Sequence, residues 1–222
     1  MKDILLWVKN EFEDNVCMTS SFQTQSLPLL HQVSLYIPET EIIFIDTGFH
    51  FKETLEFKDK ITKLLKLRTK TIKPSISKEE FFEKYGNDLY LRNPKLCCQI
   101  NKVNPFLKAI SNYKAWICGI RKDQTKNRLS SKKISVVFDN KIKVCPMISW
   151  NLENILNYVE ENNLPKHPLY KKGYRSIGCK FCTEPVQSNE NERNGRWKNN
   201  SLMKDKECGI NINDASLNTN II

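Results

Sequence analysis

The sequence lacks the hydrophobic runs that accompany export or membrane insertion. Met1 to Asn15 carries Lys2, Asp3, Lys9, Glu11, Glu13 and Asp14 among its apolar positions, which does not resemble a signal peptide. No later run reaches membrane-spanning length. A soluble, cytoplasmic protein with no membrane partner is therefore the expectation. In that reducing setting eight cysteines favour metal binding or thiol chemistry over disulfides. The polar stretch Ser20 to Gln25 contains no glycine, which argues against a glycine-rich pyrophosphate loop there. A chain of 222 residues is long enough for one well-buried core and requires no second domain. The net charge of +10 suits an anionic partner. Lys, Asn and Ile are all abundant, however, as general compositional drift would produce, and charge alone supports no function.

Hydrophobic spacing orders the chain into alternating units. Val16 to Met18 reads as a strand, Thr19 to Thr24 as a polar loop and Leu27 to Tyr36 as a helix. A second strand, Ile42 to Ile45, runs into Asp46, Thr47 and Gly48, followed by helical spacing to about Leu67. Two such units predict a parallel sheet. Ser77 and Glu80 form a capping-box pattern ahead of Phe81 and Phe82, and a further helix is expected over Cys97 to Ile110. Ala115 to Ile120 reads as a buried strand, Ile134 to Phe138 pairs with Lys141 to Val144 across Asp139 and Asn140, and Trp150 to Val159 is the last clear helix. The expected organisation is one α/β domain over residues 1–197 and a mobile tail over 198–222. In an open parallel sheet, ligands bind beyond the carboxyl ends of the strands, where Thr19 to Gln23 and Asp46 to Gly48 both lie.

Cys179-Lys180-Phe181-Cys182 is the strongest local signal, since two thiolates so spaced can converge on one metal centre. Alone it favours zinc or a redox dithiol. The adjacent pair Cys97-Cys98 shifts the balance, because successive helical residues point roughly 100° apart and reach two irons of a cubane more easily than one small ion. Four cysteines would complete the ligation of a 4Fe-4S cluster. Lys102 follows Cys98 by one turn and would place a cation on the same face. Cys17, Cys118 and Cys145 lie in apolar runs and read as core residues. Cys208 lies instead in the polar segment Lys206-Glu207-Cys208-Gly209-Ile210, an exposed setting that invites thiol chemistry. Arg121, Arg128, Arg193 and Arg196 supply planar forks suited to sulfate or phosphate, and equally suit a solvated surface.

Read together, these segments resemble the assimilatory adenylyl-sulfate and phosphoadenylyl-sulfate reductases from about Thr19 to Gly209. The resemblance rests on Ser20-Ser21-Phe22, Ile45-Asp46-Thr47-Gly48, Cys97-Cys98 with Lys102 and Pro105, and Trp116 with Gly119-Ile120-Arg121. It continues through His167-Pro168-Leu169-Tyr170, Ser176-Ile177-Gly178-Cys179, Cys182-Thr183, Gly195-Arg196-Trp197 and Glu207-Cys208-Gly209. It implies an adenine-nucleotide hydrolase-like, Rossmann-like fold, a mostly parallel sheet flanked by helices, with Ser20, Ser21, Phe22, Gln23, Asp46, Thr47, Gly48 and Gly119 around the nucleotide. It places Lys102, Arg121, Arg128, Arg193 and Arg196 near the phosphosulfate. It assigns Cys97, Cys98, Cys179 and Cys182 to a 4Fe-4S cluster that assists substrate binding, and Cys208 to attack on the substrate sulfur. The branch of the family with all four cysteines generally prefers adenylyl sulfate, so the implied reaction yields sulfite and AMP through an S-sulfocysteine released by a thioredoxin- or glutaredoxin-like reductant. A homo-oligomer is compatible with this reading.

Two positions depart from the family pattern. Asn211 stands where the motif Glu-Cys-Gly-Leu-His has histidine, and Gln23 stands where the phosphate loop usually has glycine. Three other readings stay open: phosphoadenylyl-sulfate reduction, a tRNA sulfur transferase of the same fold, and a zinc-dependent nucleic-acid-binding module.

Overall fold

A computed structural model describes residues 1–198, 200–203, 207 and 209–210. Strands β1 (Val16–Thr19), β2 (Glu41–Ile45), β3 (Arg68–Ile72), β4 (Ala115–Cys118), β5 (Ile134–Val136) and β6 (Ile142–Val144) form one sheet in the order β3-β2-β1-β4-β6-β5. All pairings are parallel except β5 with β6. The helices are α1 (Lys2–Phe12), α2 (Leu27–Tyr36), α3 (Lys52–Leu64), α4 (Lys78–Tyr85), α5 (Leu89–Arg92), α6 (Pro94–Cys98), α7 (Asn104–Ile110) and α8 (Leu152–Glu161). This is the expected α/β architecture. No helix among the described residues is long and apolar enough to cross a membrane.

Alternate side chains of the central strands bury into two separate cores, as the strand period of two requires. Met18, Ile42, Phe44, Ala115 and Ile117 face one layer with Leu5, Val8, Leu30 and Ile155. Cys17, Ile43, Ile45, Trp116 and Cys118 face the other, with Val103, Phe106 and Ile110. Strands buried on both faces read as continuous apolar runs, which is why β1, β2 and β4 are visible in the sequence. β3, Arg-Thr-Lys-Thr-Ile, is an edge strand with Arg68, Lys70 and Thr71 exposed. It carries no apolar run and was not anticipated, and neither was α1. The β5–β6 hairpin forms as expected, with Asp139 and Asn140 at φ 53° and 56° making its turn.

The helix expected over Cys97 to Ile110 is divided. Gln99–Val103 is a π-helical segment between α6 and α7, in which the Asn104 N–H donates to the Gln99 carbonyl. Pro105 gives the physical reason: it has no N–H to donate, and in an α turn its ring would clash with the carbonyl four residues back. The wider turn relieves that clash, and it falls between Cys98 and Asn104, a location where such bulges often serve sites.

Candidate active site

The chain leaves β1 toward β2 and β3 on one side and returns to β4 on the other. Such a reversal opens a crevice at the carboxyl ends of β1 and β4. A cleft of about 150 Å³ occupies this position. Its walls include Ser20, Ser21 and Gln23 after β1, Gly119 and Ile120 after β4, and the cations Lys102, Arg128, Arg193 and Arg196. Eight of the substrate-site residues implied by the sequence therefore meet in one place.

The loop after β1 is held in a strained form. Phe22 is fully buried at φ 51°, a region costly for a bulky side chain. Its ring meets Phe44 edge-on at 5.9 Å, and its N–H donates to Ser20 Oγ at 3.1 Å. Phe22 thus supports the loop from the core and does not line the cleft. Gln23, in place of the family glycine, accepts a hydrogen bond from the Ile177 N–H at 2.7 Å through its side-chain oxygen. That bond ties the β1 loop to the segment leading into Cys179.

Arg196 is buried, stacks on Trp197 at 4.5 Å, and lies against the backbone of Gly178. A Cβ at Gly178 would stand 2.6 Å from Arg196 Cζ and closer still to Nη2, so any larger residue there would displace the guanidinium. Arg196 Nε is a buried donor with no hydrogen-bond partner among the described residues. A buried, unsatisfied cationic donor on a cleft wall is a feature that an anionic ligand would complete.

Arg121, expected near the phosphosulfate, is held in a buried network beside the cleft. Its side chain is 1% exposed and does not line the cleft. Its Nε donates to Asp123 Oδ1 at 2.9 Å, Nη1 to Gln25 at 3.1 Å and Nη2 to Glu192 at 3.1 Å. Gln25 also donates to Glu192 at 2.6 Å and to the Arg175 carbonyl at 2.8 Å. This network fastens the loops after β1 and β4 to the C-terminal arm. Its members Gln25, Gln124 and Glu192 carried no sequence signal, because they are far apart in the chain and have no motif spacing.

The loop after β2 makes contacts of a different kind. Asp46 accepts from the Gly48 N–H at 3.0 Å, and Gly48 adopts φ 77°. Neither lines the cleft. Thr47 turns to a second, apolar cavity of about 30 Å³, lined by Cys97, Cys98, Cys179 and Cys182 with Phe49, Phe81, Phe82, Tyr90 and Phe181. Thr47 Oγ1 lies 3.2 Å from Cys179 Sγ, and Asn101 Nδ2 lies 3.8 Å from Cys97 Sγ. Burial, reinforced by Cys179, pushes the Cys97 thiol up to about 11 and the Cys182 thiol to about 12. Among the described residues, no group of three or more His, Cys, Asp or Glu converges closely enough to hold a single metal ion. The four cysteines predicted as ligands nonetheless share one cavity, and Lys102 lines both that cavity and the cleft.

His50, which sequence reasoning did not single out, also lines the cleft. One ring nitrogen, Nε2, lies 2.9 Å from the Ile45 carbonyl, and Nδ1 has no partner among the described residues. Burial lowers its pKa, leaving a neutral ring whose free nitrogen is an acceptor. Cys118 and Cys145 are buried core residues as expected, with sulfurs 3.4 Å apart, and Cys118 also lines the cleft.

Cys208 and Asn211 lie outside the described residues. The described parts of the 198–222 segment pack against the domain. Met203 is buried with Cys182 and Trp197, and Asn200 donates to the Leu91 carbonyl at 3.0 Å. Glu207 is buried against Arg128 and Arg193, and Ile210 lines the cleft.

The chain is similar to known proteins. The family model described as phosphoadenosine phosphosulfate reductase domain matches residues 15–185. A protein of Halalkalibacterium halodurans named adenosine 5'-phosphosulfate reductase is 37% identical over 212 residues, covering 94% of this chain and 90% of that one. The crystal structure of phosphoadenylyl-sulfate (PAPS) reductase from Candida auris, a phosphate complex, has a TM-score of 0.71 at 29% identity, covering 83% of this chain and 89% of that one. An FMN adenylyltransferase from Candida glabrata in complex with ATP has a TM-score of 0.59 at 20% identity, covering 85% of this chain and 64% of that one, and shows likeness of fold alone. With the cleft at the strand reversal, the paired cysteines on one cavity and these likenesses in agreement, the chain belongs to the phosphoadenosine phosphosulfate reductase domain family.

Proposed function

We propose that this protein is an oxidoreductase that reduces adenylyl sulfate to sulfite and AMP in assimilatory sulfate reduction. The observation that carries the reading is the cationic cleft at the β1–β4 reversal, adjoining the four-cysteine cavity through Lys102. Relatives at this level of identity bear the name adenosine 5'-phosphosulfate reductase. The four cysteines favour adenylyl sulfate over its 3′-phosphorylated form, the second reading, for which the likeness to the Candida auris enzyme speaks.

In the proposed reaction the Cys208 thiolate attacks the sulfate sulfur, AMP departs with the bridging oxygen, and S-sulfocysteine remains. A thiolate of a thioredoxin-like dithiol then attacks Cys208 Sγ and displaces sulfite, and its second thiol resolves the mixed disulfide. Lys102 and Arg196 on the cleft wall compensate the charge of an already anionic group under attack. Ser20, Ser21, Gln23 and Gly119 are proposed to bound the nucleotide.

Cys97, Cys98, Cys179 and Cys182 would hold a 4Fe-4S cluster. The donor set fits: four thiols ring one apolar cavity, the usual ligand number and type for such a cluster. When bound, the cluster would assist substrate binding, with Lys102 as the cation between its negative charge and the substrate's anionic end. A cytoplasmic location suits the thiol chemistry.

Purified protein supplied with thioredoxin and either nucleotide tests the reading. Release of AMP and sulfite from adenylyl sulfate, with a higher kcat/KM than for the 3′-phosphorylated form, is expected. The reverse preference would select the second reading, and release from neither would overturn both. Iron and acid-labile sulfide in the same preparation are expected, and zinc in their place would remove the cluster assignment.

A further inference from the structure

Arg128 is held by the segment that carries Cys208. Its Nε and Nη2 donate at 2.7 Å to the two carboxylate oxygens of Glu207, while Nη1 donates to Gln124 Oε1. Thr125 Oγ1 donates to the same carboxylate at 2.9 Å, and Arg193 Nη2 stands 3.6 Å away. Both side chains of the Arg128–Glu207 pair are at most 6% exposed. Burial alone would raise the Glu207 pKa; the Arg128 hydrogen bonds and the charges of Arg193 and Arg128 outweigh it and hold the carboxyl below its ordinary value. Glu207 is thus an ionised, bidentate anchor, the strongest form of side-chain pairing.

This geometry bears on how a substrate meets the cleft cations. The Nε–Nη2 edge of Arg128 is occupied by a carboxylate, so a second anion cannot take the same edge. Arg196 keeps a buried donor without a partner among the described residues, and Lys102 faces the cleft beside the cysteine cavity. Glu207 is held by two of the cleft cations, Arg128 and Arg193, and Ile210 lines the same cleft.

We propose that Glu207 is a positioning residue: its carboxylate, gripped by Arg128 and Arg193, seats the Cys208-bearing segment on the cleft, and Arg128 serves the reaction through Glu207 while Lys102 and Arg196 face the sulfate. This rests on the adenylyl sulfate reading above. It differs from a role for Arg128 as a direct substrate ligand, in which Glu207 would be a competitor displaced by the sulfate.

Three measurements on the full-length, iron-loaded protein separate these roles. Steady-state kinetics with adenylyl sulfate and thioredoxin give kcat and KM for the wild type, Glu207→Gln and Glu207→Asp. Calorimetry in a Cys208→Ser background gives the Kd of adenylyl sulfate with and without Glu207→Gln. Iodoacetamide labelling without substrate, read on the Cys208 peptide by mass spectrometry, reports how firmly the segment is seated. Glu207→Gln is expected to lower kcat about tenfold or more, as loss of a buried charge partner does, to leave Kd within about twofold, and to speed labelling of Cys208. Glu207→Asp is expected between the two. Unchanged kcat and labelling would overturn the proposal, as would a Kd several-fold tighter in Glu207→Gln, which is the mark of a competitor. A wild type that releases no AMP defeats the substrate reading, and the labelling comparison then still decides whether Glu207 seats the segment.

Discussion

The loops after β1 and β2 leave neighbouring parallel strands with similar polar content, yet they serve different cavities. The β1 loop borders β4 at the strand reversal and opens on the cationic cleft. β2 lies between β1 and β3, and its loop turns under the Asp46–Gly48 bond so that Thr47 reaches Cys179. Loop composition is thus a poor guide to loop function, and position in the sheet order a better one. The two cavities differ in kind: one is walled by aromatic rings and thiols, the other by arginine, lysine and hydroxyl groups. They are joined by Lys102 and by the bond from Ile177 to Gln23.

The largest effect is expected on the cysteine side. Cys179→Ser removes a proposed ligand and should abolish most iron binding, with activity falling beyond the roughly 10–100-fold range typical of changes to outer partners of a metal site. Iron content and kcat/KM measured on one preparation check this. Thr47→Val removes only the hydroxyl beside Cys179 and should fall within that range, about tenfold. If Thr47→Val raised the substrate KM and left iron retention unchanged, the β2 loop would belong to the cleft after all, and the division drawn here would break.

On the cleft side, Gly178→Ala sets a methyl against the Arg196 guanidinium. Overpacking of this kind costs about 1–3 kcal/mol, and because the atoms displaced belong to a cleft cation, the loss should appear as a KM raised roughly tenfold. Iron content should be unchanged, since Gly178 does not itself line the cysteine cavity. A parallel fall in iron and affinity would show that the two cavities act as one.

The sequence made much of this legible, for identifiable reasons. β1, β2 and β4 are buried on both faces and show as apolar runs. The cysteine pairs are short-range motifs, and all four residues do line one cavity. What was hidden depends on contacts across the chain. β3 is polar because its edge faces water. Arg121 has the same chemistry as Arg196, but Glu192, 71 residues away, draws it into a buried network. Glu207 gains its role from Arg128, 79 residues away. No local pattern carries such information.

The smallest expected effect concerns what lies behind both loops. His167 is 1% exposed; its backbone N–H donates to Thr24, its Nε2 lies 3.2 Å from Thr54 Oγ1, and its Nδ1 accepts from the Leu169 N–H. An Nδ1 that accepts must be unprotonated, so Nε2 carries the hydrogen. Burial lowers the His167 pKa from 6.5 to about 4, with Glu53 opposing. Between those values the unfolded chain binds a proton that the folded chain refuses, so this residue's contribution is intact above pH 6.5 and is lost as the pH falls toward 4. His31 and His50 are lowered too and add to the same acid limb. His167→Gln should therefore flatten the fall of Tm between pH 6.5 and 5 without abolishing it, while changing neither iron content nor KM. A mutant whose acid limb stayed as steep as the wild type's would assign that limb to the other two histidines, and a shifted KM would tie the floor beneath the loops to the cleft itself.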